Sequence, residues 1–264
     1  QVLPLEDEMN VSAGFTTDPV GDMAASVRPG VLHKYHGRVL LTVTGGCAIH
    51  CRYCFRRHFS YSSENPFSRD LQTTLEYIRE NETLHEVILS GGDPLILDTR
   101  RLRQFTEQLE IIPHLKRLRL HSRLPVVIPE RIDQELVEWL ASSALKPIMV
   151  IHANHAHELA HEVEQSLAQL HRIGVVLLNQ AVLLRGVNDN VTSLQRLSER
   201  LFELNVQPYY LHQLDRVSGA AHFDVAEETA LELHSELRCQ LPGYLVPTLV
   251  REVEGAASKM PAGV

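Results

Sequence analysis

No stretch of the 264 residues keeps about eighteen apolar residues together, so no membrane-spanning helix is expected. No secretory leader with a basic start and a short apolar centre opens the chain. Only four cysteines are present, and three of them crowd between Cys47 and Cys54, which excludes the paired framework that staples small secreted domains. A reduced, cytoplasmic setting is expected. Neither G-x-G-x-x-G nor the phosphate-cradling G-x-x-x-x-G-K-[ST] occurs, which removes two common nucleotide-binding signatures. Basic residues are in deficit: the formal net charge of −8 argues against general nucleic-acid binding. No nucleic acid and no membrane is expected as a partner. The chain opens with Gln1 rather than methionine, which leaves room for a natural protein that extends upstream.

Apolar content is 44%, enough for one large α/β domain. Residues 1–37 lack strong periodicity and hold Pro4, Pro19 and Pro29; they are expected to form an extended lead-in over the surface. From Arg38 an alternation begins. Apolar, β-like runs occur at Val39–Thr44, Val87–Ser90, Leu118–His121, Ile148–His152, Val175–Leu184 and Pro208–Leu211. Stretches of helical period follow them at Leu71–Arg79, Thr99–Leu109, Ile132–Leu140, Glu158–Arg172, Leu194–Leu204 and Ala226–Leu237. Strands alternating with helices imply a parallel sheet. Strands apolar almost throughout imply a sheet covered on both faces. Six such units do not close an eight-stranded barrel. The expected fold is therefore an α/β partial (β/α)6 barrel over residues 38–264, with a doubly wound open sheet as the runner-up.

The densest chemistry is Cys47-Ala48-Ile49-His50-Cys51-Arg52-Tyr53-Cys54, spaced C-x3-C-x2-C just after a strand and the pair Gly45-Gly46. Three thiolates can hold three corners of a cubane iron–sulfur cluster, which usually takes four ligands, and so leave one iron open. Two other readings compete. Cys51-x2-Cys54 can be a redox pair, and the loop with His50 or His58 can be a structural zinc knuckle. The remaining thiol, Cys239, lies in a helical stretch. Polar groups recur where strands end: Ser90-Gly91-Gly92-Asp93, His121-Ser122-Arg123, His152-Ala153-Asn154, Asn188-Asp189 and His212-Gln213-Leu214-Asp215. In barrels of this kind the chemistry sits at those ends. One motif is a decoy: His157-Glu158-Leu159-Ala160-His161 matches the zinc-protease pattern, but Gln165 and Leu167 replace its continuation.

The cysteine spacing resembles the signature of the radical S-adenosylmethionine (SAM) enzymes, and Tyr53 fits that family's habit of an aromatic before the last cysteine. Longer stretches resemble one branch of it, the lysine 2,3-aminomutases. They are Leu32-His33-Lys34-Tyr35, Cys54-Phe55-Arg56-Arg57, Ser90-Gly91-Gly92-Asp93-Pro94-Leu95, His121-Ser122-Arg123, Asn179 through Asp189, and Pro208-Tyr209-Tyr210. Within the branch, Tyr209-Tyr210-Leu211-His212 and Gly219-Ala220-Ala221-His222-Phe223 are most similar to the bacterial form that makes (R)-β-lysine for modifying elongation factor P.

The resemblance implies a partial barrel, an isomerase activity on L-lysine and three cofactors: a [4Fe-4S] cluster on Cys47, Cys51 and Cys54, SAM, and pyridoxal 5'-phosphate (PLP). It implies that Gly91, Gly92 and Asp93 meet SAM. Among only four lysines, Lys34, Lys116, Lys146 and Lys259, it points to Lys259 as the catalytic lysine that carries PLP. The usual glycine run before that lysine is reduced here to Gly255 with two alanines. Arg38 falls where the PLP phosphate is held, a role that suits a guanidinium. Arg56 matches the arginine on the substrate carboxylate, Asp215 an acid on the distal ammonium, and Glu252 a second acid where the family has Asp. The amino group would move from C2 to C3. An external electron donor, a β-lysine-using ligase and elongation factor P are the implied partners, and a homo-oligomer is admitted. With five residues after Lys259, the chain is expected to lack the zinc-binding, cysteine-bearing region of larger members. The alternatives are a radical SAM enzyme without PLP, or a zinc-stabilised binding module.

Overall fold

A computed structural model describes residues 1–59 and 71–263; residues 60–70 and 264, which fall within the stretch assigned to the barrel, lie outside the described residues. Its frame is one ten-stranded sheet whose strands pair in chain order, β1 to β10. Seven neighbouring strands run parallel: β3 (Arg38–Thr44), β4 (Glu86–Gly91), β5 (Arg117–Ser122), β6 (Lys146–Ile151), β7 (Val176–Val182), β8 (Gln207–His212) and β9 (Thr248–Arg251). Helices α1 (Leu71–Glu80), α2 (Thr99–Glu110), α3 (Gln134–Ser142), α4 (His161–Arg172), α5 (Val191–Glu203) and α6 (Glu227–Gln240) follow β3 to β8 in turn. All six expected βα units are present.

Helices α1 to α5 are amphipathic and lay an apolar stripe on the sheet, whereas α6 buries only Ala230 and Leu237 and packs on α5. Leu75 and Ile78 of α1, Leu102 and Phe105 of α2, Trp139 of α3 and Leu167 and Leu170 of α4 join Leu41, Leu89, Leu118, Leu120 and Met149 of the strands in one buried core. The side chains of Asp98, Asp133 and Asn190 accept from backbone N–H groups at the starts of α2, α3 and α5. Such caps satisfy donors that the first turn leaves open.

The inner face departs from the expected apolar strands. In β5, Leu118, Leu120 and Ser122 are buried, whereas Arg117, Arg119 and His121 alternate with them and are only partly covered. A strand that packs helices on one side and borders a polar lumen on the other shows period-two alternation. The doubly apolar pattern is therefore confined to strands such as β4, buried throughout.

Residues 1–37 also differ from a plain lead-in. Two strands, β1 (Ser26–Arg28) and β2 (Val31–Tyr35), form an antiparallel hairpin that extends the sheet beyond β3. Val20, Val31 and Leu32 are buried. At the far side, β10 (Met260–Pro261) turns back antiparallel on β9. The linear pairing order leaves β1 and β10 unpaired with each other, an open barrel. The curvature nevertheless brings the two flanks together: the Tyr35 hydroxyl at the end of β2 donates to Glu252, just past β9.

Candidate active site

The cysteine loop leaves the C-terminal end of β3 and is clamped against the end of β4. The Gly92 N–H donates to the Thr44 carbonyl at 2.7 Å and the Asp93 N–H to the Gly46 carbonyl at 2.8 Å. A Cβ at Gly92 would lie 2.1 Å from the Gly46 carbonyl oxygen, and Gly91 has φ +120°, so this close approach requires both glycines. The Asp93 carboxylate faces the next loop: it accepts from Ser122 Oγ and the Arg123 N–H, both at 2.7 Å, and from the backbone N–H groups of Leu95 and Leu124. Asp93 thus ties the ends of β4 and β5 together, and its carboxylate is occupied by protein donors.

Cys47, Cys51 and Cys54 are partly buried and unpaired, while Cys239 is exposed on α6. Burial pushes the Cys47 thiol up to about 12, reinforced by Asp93 and the two neighbouring thiols. Burial also raises Cys54, with Cys51 adding to the rise and Arg56 and Arg57 opposing it. Crowded thiols that resist ionising together fit a cationic iron cluster, whose charge would offset the repulsion between their thiolates. Among the described residues, no three His, Cys, Asp or Glu side chains converge on one point, the three loop thiols included. Nor do the H-E-x-x-H histidines share a helix: His157 sits in a short turn, and His161 is exposed at the start of α4. The loop is braced from above. Arg123 contacts Cys51 Sγ at 2.8 Å and Glu158 at 2.7 Å, and Asn154 donates to the buried Tyr53 hydroxyl at 2.7 Å.

A chain of alternating charges runs from this loop to the C-terminal strand. Arg56 Nε donates to Asp22 Oδ2 at 2.6 Å, and a terminal nitrogen reaches Ser90 Oγ at 3.1 Å. Lys34 Nζ sits 2.7 Å from Asp22 Oδ1 and 3.7 Å from Glu252 Oε1. Lys259 donates to Glu252 Oε2. Burial works against ionising Asp22, but Arg56 and Lys34 hold its carboxyl below the usual carboxylate range. Arg38 lies over the Tyr35 ring, 4.6 Å from its centroid, and so adjoins the same array. Asp215, past the end of β8, is surrounded by protein with a remaining path to solvent. Burial pushes its carboxyl up to about 7; Glu252 and Asp22 add to the rise, and Lys259 and Lys34 oppose it.

Three histidines border the lumen near Lys259. Burial keeps His121 and His212 well below the ordinary imidazole value and takes His152 down to about 4, with the Lys259 charge adding to each. All three are neutral at pH 7. The His121 and His152 rings stand 6.1 Å apart, and among the described residues the buried His121 Nε2 has no partner. An orphaned ring nitrogen beside a lysine amine fits a polar cofactor seated in this lumen.

The structure therefore links Arg56 to Glu252 and Lys259 through Asp22 and Lys34, sets Arg38 against Tyr35 of the same array, and keeps Asp215 within electrostatic reach of Lys259 and Glu252. Sequence reasoning missed Asp22 and Tyr35 as members of this array and named Lys34 only within a motif and among the four lysines that could carry PLP. Asp22 carries no motif around it, and only tertiary contact reveals its role.

A three-thiol loop on the first parallel strand of an open (β/α)6 barrel defines a radical SAM enzyme. The Radical SAM superfamily profile matches residues 41–194. The chain is 53% identical over 261 residues to L-lysine 2,3-aminomutase of Escherichia coli, covering 99% of this chain and 76% of that one. It is 44% identical to the Haemophilus influenzae enzyme of the same name, covering 98% and 77%, and 38% identical to that of Clostridium subterminale, covering 99% and 63%. The chain belongs to the lysine 2,3-aminomutase family. Solved structures add the fold alone. Streptococcus suis SuiB bound to S-adenosylmethionine has a TM-score of 0.58 at 13% identity, covering 88% of this chain and 54% of that one. A Sphaerobacter thermophilus radical SAM methyltransferase has a TM-score of 0.56 at 17% identity, covering 84% and 68%. The chain thus spans about three quarters of the first two aminomutases and about half of SuiB.

Proposed function

We propose that this chain converts L-lysine to β-lysine by moving the amino group from C2 to C3, using a [4Fe-4S] cluster, SAM and PLP. The observation that carries this reading is the run of charged contacts from Arg56, just past the three-thiol loop, through Asp22, Lys34 and Glu252 to Lys259, with charges of opposite sign suited to the two ends of lysine. Cys47, Cys51 and Cys54 would hold the cluster, the Gly91-Gly92-Asp93 backbone the amino group of SAM, Lys259 the PLP carbonyl carbon and Arg38 its phosphate. When bound, these groups supply hydrogen-atom abstraction and a conjugated system through which nitrogen can migrate.

The protein's own part is orientation. Arg56, fixed by Asp22 and Ser90, presents a guanidinium to the substrate carboxylate. Asp215, once ionised, offers charge to the distal ammonium, and Glu252 lies beside it. The neutral histidines line the space without adding positive charge near Lys259. Residues 1–37 serve as an N-terminal flank and 38–264 as the catalytic barrel with its PLP-lysine segment.

In the cell we place the chain in the cytoplasm, supplied by an external electron donor. Its product, (R)-β-lysine, passes to a ligase that modifies elongation factor P; the sequence resemblance to that branch supports this assignment. Among the described residues, no helix is long and apolar enough to cross a membrane. The test is the visible spectrum and iron content of anaerobically purified protein. Cluster and PLP absorbance are expected together. A colourless protein with zinc and no iron contradicts the reading, and a cluster without PLP uptake leaves a radical SAM enzyme of another kind.

A further inference from the structure

The protein itself engages both oxygens of Glu252. The Tyr35 hydroxyl donates to Oε1 at 2.5 Å, Lys34 Nζ stands 3.7 Å from the same oxygen, and Lys259 donates to Oε2. Lys34 is fixed in turn by the Val20 carbonyl and Asp22, each at 2.7 Å. Burial works against ionising Glu252, yet Lys259, Tyr35 and Lys34 hold it below the usual carboxylate range. Asp215 contrasts with it: among the described residues its carboxylate has no hydrogen-bond or ion-pair partner, although Lys259 and Lys34 lie close enough to act on its charge.

We propose that Glu252 is a positioning residue for Lys259, the counter-ion on which the Lys259 ammonium rests whenever that amine is not joined to PLP. Reading the distal ammonium of the substrate falls to Asp215. The inference rests on the reading that Lys259 carries PLP.

The chemistry needs such a resting place. An amino acid that takes the place of Lys259 on PLP enters as an α-ammonium and releases Lys259 as an ammonium. One C=N bond replaces another, and the two N–H hydrogens lost by the incoming nitrogen are gained by Lys259, so no outside proton is required. What changes is that the positive charge on the Lys259 nitrogen is no longer shared with the bound group and stands alone on a largely buried lysine. An unpaired charge there is costly, and a charge-assisted hydrogen bond to a fixed carboxylate removes that cost. Tyr35 and Lys34 keep Glu252 in place while Lys259 is away. This service does not depend on the incoming side chain, whereas an ammonium reader acts only on a substrate with a distal charge.

That difference is the test. The PLP-loaded protein, without reductant, is titrated with L-lysine and separately with L-norleucine, which lacks the distal amine. Borohydride then fixes whatever PLP remains on Lys259, and peptide mass spectrometry measures it. Glu252→Gln is expected to need about tenfold more of both amino acids to clear Lys259. Glu252→Asp is expected to recover part of the loss, and Tyr35→Phe, which loosens only one contact, to show a smaller shift in the same sense. Asp215→Asn is expected to shift lysine alone. A Glu252→Gln shift for lysine but not norleucine, or for neither, overturns the inference and leaves the PLP reading intact. A wild-type protein that fixes no PLP on Lys259 overturns both.

Discussion

Asp22 and Arg56 form a buried ion pair, Oδ2 to Nε at 2.6 Å, with side-chain exposures of only 3% and 9%. The carboxylate belongs to the N-terminal flank and the guanidinium to the loop after Cys54. Together with Asp18, Phe55 and His58 they line a small cavity. Arg56 is thus aimed by a residue from outside the barrel repeat.

Removing one partner of a buried pair costs more than the pair contributes, about 3–5 kcal/mol, because the other charge is left uncompensated. Asp22→Ala leaves Arg56 and Lys34 facing each other. It is expected to lower the melting temperature of the protein and to reduce kcat/KM for lysine at least about a hundredfold. Thermal denaturation and anaerobic steady-state kinetics check both. Wild-type kinetics in this variant would detach Asp22 from the aiming of Arg56.

Cys47→Ala, Cys51→Ala and Cys54→Ala are each expected to lose the reconstituted four-iron cluster and all turnover, whereas Cys239→Ala, exposed on α6, is expected to lose neither. Iron analysis and electron paramagnetic resonance of the reduced proteins read the outcome. A full cluster in any of the three loop variants is incompatible with the three-thiol site.

Gly92→Ala leaves every thiol in place but sets a methyl 2.1 Å from the Gly46 carbonyl oxygen. Backbone must move, and the segment that moves carries Cys47. The variant is expected to fold yet bind cluster and SAM at least about tenfold more weakly; a contact this short cannot be absorbed by a rotamer change. Equilibrium SAM binding to the reconstituted protein measures it, and unaltered affinity would show the turn to be remote from SAM.

Asp215 gives a pH dependence whose sign is fixed. Its carboxyl is pushed up to about 7, so below that pH it is neutral and offers no charge to an ammonium. Raising the pH ionises it. On this basis kcat/KM for lysine rises up to about tenfold per unit through the acid limb and levels off above pH 7. Asp215→Asn is expected to flatten that limb and to lower the plateau. A limb that survives in the variant assigns the titration to another group.

Much of this was legible before any coordinates. Six of the seven parallel strands announce themselves as apolar runs because helices cover their outer face, and the cysteine spacing and Gly91-Gly92 are local signals. What was not legible is either short or distant. Strand β9 has four residues and β10 two, too few to show a period. Strand β2 ends in Lys34-Tyr35, polar because the two meet Asp22 and Glu252 of the charged array. Arg119 and His121 interrupt the expected apolar β5 because the lumen is polar. Asp22 lies 34 positions from Arg56, and Tyr35 lies 217 from Glu252. No local pattern encodes a contact that exists only once the two flanks of an open barrel meet.

The central claim is tested most directly by incubating the reconstituted wild-type protein anaerobically with L-lysine, SAM, PLP and a strong reductant, and separating α- from β-lysine. The account expects β-lysine to form, to require each of SAM, PLP and reductant, and to vanish with Lys259→Ala. A protein that carries both cluster and PLP yet returns only α-lysine would contradict it.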